Sequence, residues 1–200
     1  MSSVIHSPQA PFRGLLLAAG KGTRFDPAGA GNKLLASLPE SDEVVAVAAA
    51  RAMLQVLPVL AVVRAVDSEL SRLLTAAGCE VIGCDDADTG MSASLMYGIR
   101  QTQNAVGWII ALADMPYVQA ATHRGLLAAL KDGVQIAVPT YQGKRGNPVA
   151  FGCSHLDGLL ALSGDRGARS LLQEFPVNEI PVNDPGIHRD IDTRADLDAR

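Results

Sequence analysis

The sequence predicts an α/β fold in which a mainly parallel central sheet is flanked by helices. Short apolar runs alternate with amphipathic helical patterns along the 200 residues, and this alternation is typical of strand–helix–strand units. Hydrophobic residues make up 48% of the chain and aromatic residues only 4%, which indicates an aliphatic core between strands and alanine-rich helices. The polar residues 1–12 are predicted to form a flexible tail, followed by a single domain over residues 13–200.

Each element is predicted from its local pattern. Apolar runs between turn signals predict strands over residues 13–18, 59–64, 79–83, 108–113, 134–139 and 177–182, and the glycine-rich stretch 141–152 predicts a hairpin. Apolar residues at three- and four-residue spacings predict helices over residues 43–57, 67–77, 91–103, 122–131, 156–162 and 168–174. Asp67 is expected to cap the second helix and Gly78 to end it. Thr193 and Asp196 predict a capping box at a last short helix.

Composition excludes several classes of function. The formal net charge of −4 and the lack of a basic run argue against an extended nucleic-acid-binding surface. Cys79, Cys84 and Cys153 lack a C-x-x-C spacing, which indicates reduced thiols rather than disulfides or a zinc site. No apolar stretch approaches the length of a membrane span, and no signal-peptide pattern precedes the first strand. These features predict a cytoplasmic protein without a membrane or nucleic-acid partner.

A loop with two glycines and several cations follows the first strand. Gly20 and Gly22 let the backbone approach an anion closely, and successive N–H groups in such a loop form a concave site for phosphate oxygens. The spacing excludes both a P-loop and a G-x-G-x-x-G dinucleotide fingerprint. Lys21, Arg24 and Lys33 add positive charge, so the loop predicts a nucleoside triphosphate site rather than an ordinary glycine turn. Arg24 and Lys33 are expected to face the β- and γ-phosphates without a protein partner.

Two acidic positions predict a Mg²⁺ site. Asp114 follows a buried strand, and ligands of open α/β sheets bind at the carboxyl ends of strands. Alternation along an extended segment would point Asp190 and Asp192 to the same side, so one or both could join Asp114 on the metal. The structural alternatives are that Asp114 only organises the turn before Pro116 and that the later acids only decorate a helix N-terminus.

Three further polar segments are candidates for ligand contact, and each has a structural alternative. The basic turn 143–148 could bind a phosphate of a second substrate, with Asn147 on a heterocycle, or it could be solvated. In segment 164–169, helix N-terminal amides beside Arg166 could bind an anion or simply be capped. The hydroxyl groups in 90–94 could contact a base or a phosphate, or they could serve as ordinary helix caps.

Five short motifs run in order from the first strand to the last helix. They are Leu17-Ala18-Ala19-Gly20-x-Gly22-x-Arg24 with Lys33, Gly90-Met91-x-x-Ser94-Leu95, Leu112-Ala113-Asp114-Met115-Pro116, Arg145-Gly146-Asn147-Pro148-Val149 and Asp190-Ile191-Asp192-Thr193. In this order the chain resembles the MobA-like nucleotidyltransferases, and most closely the molybdenum cofactor cytidylyltransferases, over residues 13–197. The motifs are specific as a set, although each one is short.

The resemblance implies a Rossmann-like nucleotidyltransferase fold and transfer of a nucleoside monophosphate to the terminal phosphate of molybdopterin, with release of pyrophosphate. It implies that residues 17–22, Arg24 and Lys33 hold the triphosphate, that Met91 and Ser94 contact the base or ribose, that residues 145–148 hold the pterin, and that Asp114 and Asp192 hold Mg²⁺. Arg24, Lys33 and Asp114 would carry catalysis. The family's cytidylyltransferases share the Ala18-Ala19-Gly20 pattern, so CTP is favoured over GTP.

Other functions remain open from the sequence. A nucleotidyltransferase that uses GTP, or that acts on a sugar phosphate or another phosphorylated metabolite, would use the same fold and metal site. A non-catalytic nucleotide-binding protein could instead deliver cofactor to a partner, such as a molybdoenzyme or its chaperone. Pure binding has less need of two metal carboxylates beside Arg24 and Lys33, which favours an enzyme.

Overall fold

A computed structural model describes residues 12–20, 22, 25, 32–39, 41–164 and 167–198. The predicted tail therefore falls outside the described residues except for Phe12. Among the described residues, no helix is long and apolar enough to cross a membrane.

A mainly parallel sheet forms the centre of the molecule, as the sequence predicts. Its strands are β1 (Arg13–Ala18), β2 (Val59–Val63), β3 (Glu80–Gly83), β4 (Gly107–Leu112), β5 (Ile136–Tyr141), β6 (Lys144–Arg145), β7 (Val149–Gly152) and β8 (Asn178–Pro181). The order is β3-β2-β1-β4-β7-β5-β6, and β8 pairs with β5. The pairs among β1, β2, β3 and β4 are parallel, and so is β5 with β8. Strand β7 runs antiparallel to both β4 and β5.

Helices cover both faces of this sheet. They are α1 (Val45–Leu54), α2 (Glu69–Ala77), α3 (Met91–Gln101), α4 (Ala120–Lys131), α5 (Leu156–Leu160), α6 (Arg169–Glu174) and α7 (Arg194–Asp198). Alternate strand residues face opposite sides: Leu16 packs in the core with α1, α2 and α4, whereas Leu15 packs in the core with α3, α5 and α6. The α/β layering follows from this alternation in strands that are apolar on both faces.

One local expectation was wrong and two were confirmed. Ser68, not Asp67, caps α2, because the Ser68 hydroxyl accepts a hydrogen bond from the Ser71 N–H at 3.2 Å. The predicted hairpin over residues 141–152 is present: after a turn at Gln142 and Gly143, β6 and then β7 run back antiparallel along the same side of β5, and β8 lies on the other side. The expected capping box is present, since the Thr193 N–H donates to the Asp196 carboxylate at 2.6 Å.

Short 3-10 turns connect several elements where the sequence predicts only loops. They span Lys33–Leu35, Asp85–Thr89 and Pro185–His188. The first two follow β1 and β3, and the third leads into the segment that contains Asp190 and Asp192. These turns therefore carry polar side chains towards the carboxyl edge of the sheet.

Candidate functional site

A cleft of about 450 Å³ opens at the carboxyl edge of strands β1, β2 and β4. Its volume lies within the range of small-molecule sites, and its position is the one expected for ligands of open α/β sheets. It is lined by Leu17, Ala19, Gly20, Gly22, Lys33, Leu34, Arg64, Ala87, Asp88, Gly90, Met91, Ser94, Leu112, Asp114, Asp190 and Asp192. Most of the predicted triphosphate, base and metal residues therefore meet in one place.

The glycine loop forms the wall next to β1. Leu17, Ala19, Gly20 and Gly22 line the cleft, while Ala18 is buried beside them at the end of the strand. Gly22 has a φ of +60°, and a Cβ there would lie 3.2 Å from the Lys33 Cγ. Both facts favour glycine at this position. The predicted cations Lys21 and Arg24 lie outside the described residues.

Lys33 forms a buried ion-pair cluster with two aspartates. Its Nζ donates to the Asp114 Oδ2 at 2.6 Å and to the Asp192 Oδ1 at 2.9 Å. The Asn32 side chain caps the 3-10 turn that carries Lys33, accepting a hydrogen bond from the Leu34 N–H at 3.0 Å. The expectation that Lys33 has no protein partner is therefore wrong. These contacts could not be predicted from the sequence, because Asp114 and Asp192 lie 81 and 159 residues from Lys33.

The cluster keeps Lys33 charged. Burial lowers the pKa of Lys33, but the hydrogen bonds and charges of Asp114 and Asp192 raise it by more, and the net pKa is above its usual value. The Lys33 residue is only 8% exposed. An ammonium group at this depth is stabilised by its two carboxylates, which in turn gain a counter-charge.

Asp114 keeps one oxygen without a partner. Its Oδ1 is buried and accepts no hydrogen bond from the described residues, although Asp114 lines the cleft. The Asp114 backbone carbonyl accepts from the Ile191 N–H at 2.8 Å, which docks the C-terminal segment against the end of β4. Ile191 is buried, and Asp190 and Asp192 on either side of it both line the cleft. The predicted alternation in this segment is confirmed.

The other end of the cleft is formed by the segment before α3 and by Arg64. Gly90, Met91 and Ser94 line it, as the resemblance implies for a base or ribose site. Arg64 lines it as well and was missed from the sequence. Its Nη2 donates to the Ala19 carbonyl at 2.8 Å, and its Nη1 pairs with Asp88. A charged residue directly after a buried strand, the signal that identified Asp114, also identifies Arg64.

The predicted acceptor turn lies outside the lining of the cleft. The Arg145 Nε pairs with Glu179 on β8 at 2.8 Å, and a Cβ at Gly146 would lie 2.5 Å from the Ile187 carbonyl oxygen. Asn147 and Pro148 line a small separate cavity beside Leu112. Arg166, the other predicted substrate contact, is outside the described residues.

The carboxylates do not form a complete metal cage by themselves. Within the described part of the chain, no group of three or more His, Cys, Asp or Glu residues could hold a metal ion. Mg²⁺ is usually bound by one or two carboxylates together with substrate phosphates and water. The pair Asp114 and Asp192 matches that smaller donor set.

Comparisons with known proteins agree with this geometry. A family model described as the MobA-like NTP transferase domain matches residues 14–179. A comparison with curated protein sequences found no match. Solved structures, in contrast, give many matches.

Rv0371c from Mycobacterium tuberculosis H37Rv is similar to the chain at 26% identity and a TM-score of 0.79, over 95% of this chain and all of that one. Its manganese complex matches at 25% identity and a TM-score of 0.75, over 94% of this chain and 96% of that one. A molybdopterin-guanine dinucleotide biosynthesis protein A from Archaeoglobus fulgidus shares the fold, with 18% identity, a TM-score of 0.67 and coverage of 93% and 95%.

Proposed function

The chain belongs to the MobA-like NTP transferase family, and we propose that it transfers CMP from CTP to the terminal phosphate of molybdopterin and releases pyrophosphate. An oxygen of the acceptor phosphate attacks the α-phosphorus of CTP, and the bond from that phosphorus to the pyrophosphate oxygen breaks. The proposal rests above all on one observation, the meeting of Lys33, Asp114 and Asp192 beside the glycine loop.

The residues present fit a divalent metal. The buried Oδ1 of Asp114 has no hydrogen-bond partner among the described residues, and carboxylate oxygens are the ligands that Mg²⁺ prefers. Asp114 and Asp192 would hold the ion. When bound, Mg²⁺ supplies positive charge to the triphosphate and to the departing pyrophosphate. A divalent ion also accompanies the related Mycobacterium tuberculosis protein in one structure, where it is manganese.

The chain's own residues bind and orient the nucleotide. The N–H groups of the glycine loop donate hydrogen bonds to phosphate oxygens, and Lys33 and Arg24 neutralise the β- and γ-phosphates. The acceptor phosphate is already anionic, so positioning and charge neutralisation supply most of the rate. This agrees with the absence of a catalytic histidine or cysteine among the described residues that line the cleft.

CTP is favoured because Ala19 lines the cleft, where its methyl group would face the base. The family's guanylyltransferases have glycine at the matching position, so the Ala19 methyl group would narrow the pocket for the larger base. The turn 145–148 would hold the pterin from the same edge of the sheet, since the Asn147 N–H donates to the Ile187 carbonyl at 3.1 Å, just before Asp190 and Asp192.

The experiment is pyrophosphate release with each of the four nucleoside triphosphates and Mg²⁺, with and without molybdopterin. We expect release with CTP that depends on the acceptor. Asp114→Asn should abolish most of it, and the matched control Asp132→Asn should not, because Asp132 is exposed at the end of α4. Turnover that requires a sugar phosphate instead of the pterin would contradict the acceptor, and equal rates in both variants would contradict the site.

A further inference from the structure

Arg64 lies between the two segments that line the nucleotide cleft. It directly follows β2, whose last residue, Val63, is paired with Ala18 on one side and with Gly83 on the other. The glycine loop therefore starts on one side of Arg64, and the 3-10 turn Asp85–Thr89 starts on the other. The Arg64 side chain is 38% exposed, so its guanidinium group is at the surface of the cleft rather than in the core.

The guanidinium group of Arg64 joins these two segments. Nη2 donates to the Ala19 carbonyl oxygen at 2.8 Å, and Nη1 forms an ion pair with the Asp88 carboxylate. Arginine suits this role because its planar fork presents several donors in a fixed geometry, whereas a lysine ammonium is a point charge. We name the contact formed by Ala19, Arg64 and Asp88 the Arg64 bridge.

One end of the Arg64 bridge controls the direction of a phosphate-loop amide. The Ala19 carbonyl and the Gly20 N–H belong to one planar trans peptide, and they point in opposite directions. A hydrogen bond that fixes the Ala19 oxygen therefore also fixes the Gly20 N–H. Apart from its two chain neighbours, no described atom lies within 4 Å of a Cβ built at Gly20, so packing around Gly20 itself does not fix the direction of its N–H.

The other end of the bridge controls the nucleoside end of the cleft. Asp88 lies on the 3-10 turn that immediately precedes Gly90 and the start of α3 at Met91. Asp88, Gly90 and Met91 all line the cleft. We propose that Arg64 is a positioning residue that holds the phosphate loop and the 85–90 segment in one fixed arrangement, so that the triphosphate and the nucleoside are bound together. The proposal rests on the proposed binding of a nucleoside triphosphate in this cleft.

The test compares binding of CTP with binding of inorganic tripolyphosphate, which occupies only the phosphate loop, both with Mg²⁺. The variants are Arg64→Met, Asp88→Asn and the double variant, with Arg72→Met as a matched control, since Arg72 is an exposed arginine of α2. We expect Arg64→Met to weaken the binding of CTP about tenfold, which corresponds to the loss of one hydrogen bond to a charged group. It should also weaken the binding of tripolyphosphate. Asp88→Asn should weaken the binding of CTP about threefold and leave the binding of tripolyphosphate unchanged. The double variant should bind CTP as tightly as Arg64→Met does.

Hydrogen exchange of the free protein gives a second readout. Peptides that cover residues 19–22 should exchange faster in Arg64→Met, and those that cover β1 should not. Unchanged binding and exchange in Arg64→Met would overturn the proposal, and so would tighter tripolyphosphate binding in Asp88→Asn, which would make Arg64 a direct phosphate ligand. A wild-type protein that binds neither ligand would overturn the proposed function itself together with the bridge.

Discussion

Replacing Lys33 by methionine should destabilise the free protein by about 2–3 kcal/mol. The change removes two hydrogen bonds, at 2.6 and 2.9 Å, between an ammonium group and carboxylates. Hydrogen bonds to charged groups contribute about 1.5–3 kcal/mol each, so the gross loss is about 3–6 kcal/mol. Part of this returns because a buried ammonium no longer has to be desolvated. Water can also reach the carboxylates, whose side chains are 20% and 26% exposed.

Urea unfolding without divalent ions measures this loss. The control is Lys131→Met, an exposed lysine at the end of α4, which should stay within about 0.5 kcal/mol of wild type. A second arm adds Mn²⁺ or Mg²⁺. The ion should stabilise Lys33→Met more than wild type, because no ammonium group competes for Asp114 and Asp192. A ligand that binds only the folded state stabilises it more when it binds more tightly.

Two results would refute this reasoning. The first is a Lys33→Met protein that is as stable as Lys131→Met. The second is a divalent ion that stabilises wild type and Lys33→Met equally. Either would mean that Lys33 does not neutralise the two aspartates in solution.

Three further predictions address catalysis, base choice and pH. Asp114→Asn should lower turnover by about a hundredfold or more, as expected for one strong transition-state charge contact, with an unchanged circular dichroism spectrum; near-normal turnover would remove Asp114 from the site. Ala19→Gly should shift preference partly towards GTP, because one methyl group contributes about 1–3 kcal/mol of discrimination, and competition kinetics measure the shift. Burial lowers the pKa of His123 from 6.5 to about 4, although the Asp184 charge opposes this. The unfolded chain therefore binds a proton more readily than the folded protein. About 3 kcal/mol of the free energy of unfolding should be lost as the pH falls from 6.5 to about 4 in wild type but not in His123→Leu.

The strands and most helices could be predicted because their signal is local. Predicted strands such as 13–18 and 108–113 match β1 and β4 within one residue, since apolar runs bounded by turns are typical of buried strands. The pairing of β7 with β4 could not be predicted, because it joins residues about 40 positions apart in the sequence. The cap at Ser68 was missed because Asp67 is an equally good capping residue in sequence.

The site could be predicted where a residue's position in the fold determines its exposure. Asp114 follows one buried strand, and Gly20 and Gly22 follow another, so all three residues were expected at the carboxyl edge of the sheet. Contacts between side chains far apart in sequence could not be predicted. The bond from Lys33 to Asp192 spans 159 residues, and the one from Arg64 to Ala19 spans 45.

The Lys33 contacts also bear on the order in which ligands bind. The sequence assigned Lys33 to the triphosphate and the aspartates to the metal, but in the free protein these groups bind one another. A metal ion that arrives alone meets the Lys33 ammonium, and a triphosphate that arrives alone meets two carboxylates; each approach is opposed by like charge. If both arrive together, Asp114 and Asp192 would hold the metal and Lys33 would bind the triphosphate. We therefore expect CTP to tighten Mn²⁺ binding and Mn²⁺ to tighten CTP binding by the same factor, and this mutual effect should shrink in Lys33→Met. Equal Mn²⁺ affinity with and without nucleotide in wild type would contradict the exchange of partners at Lys33.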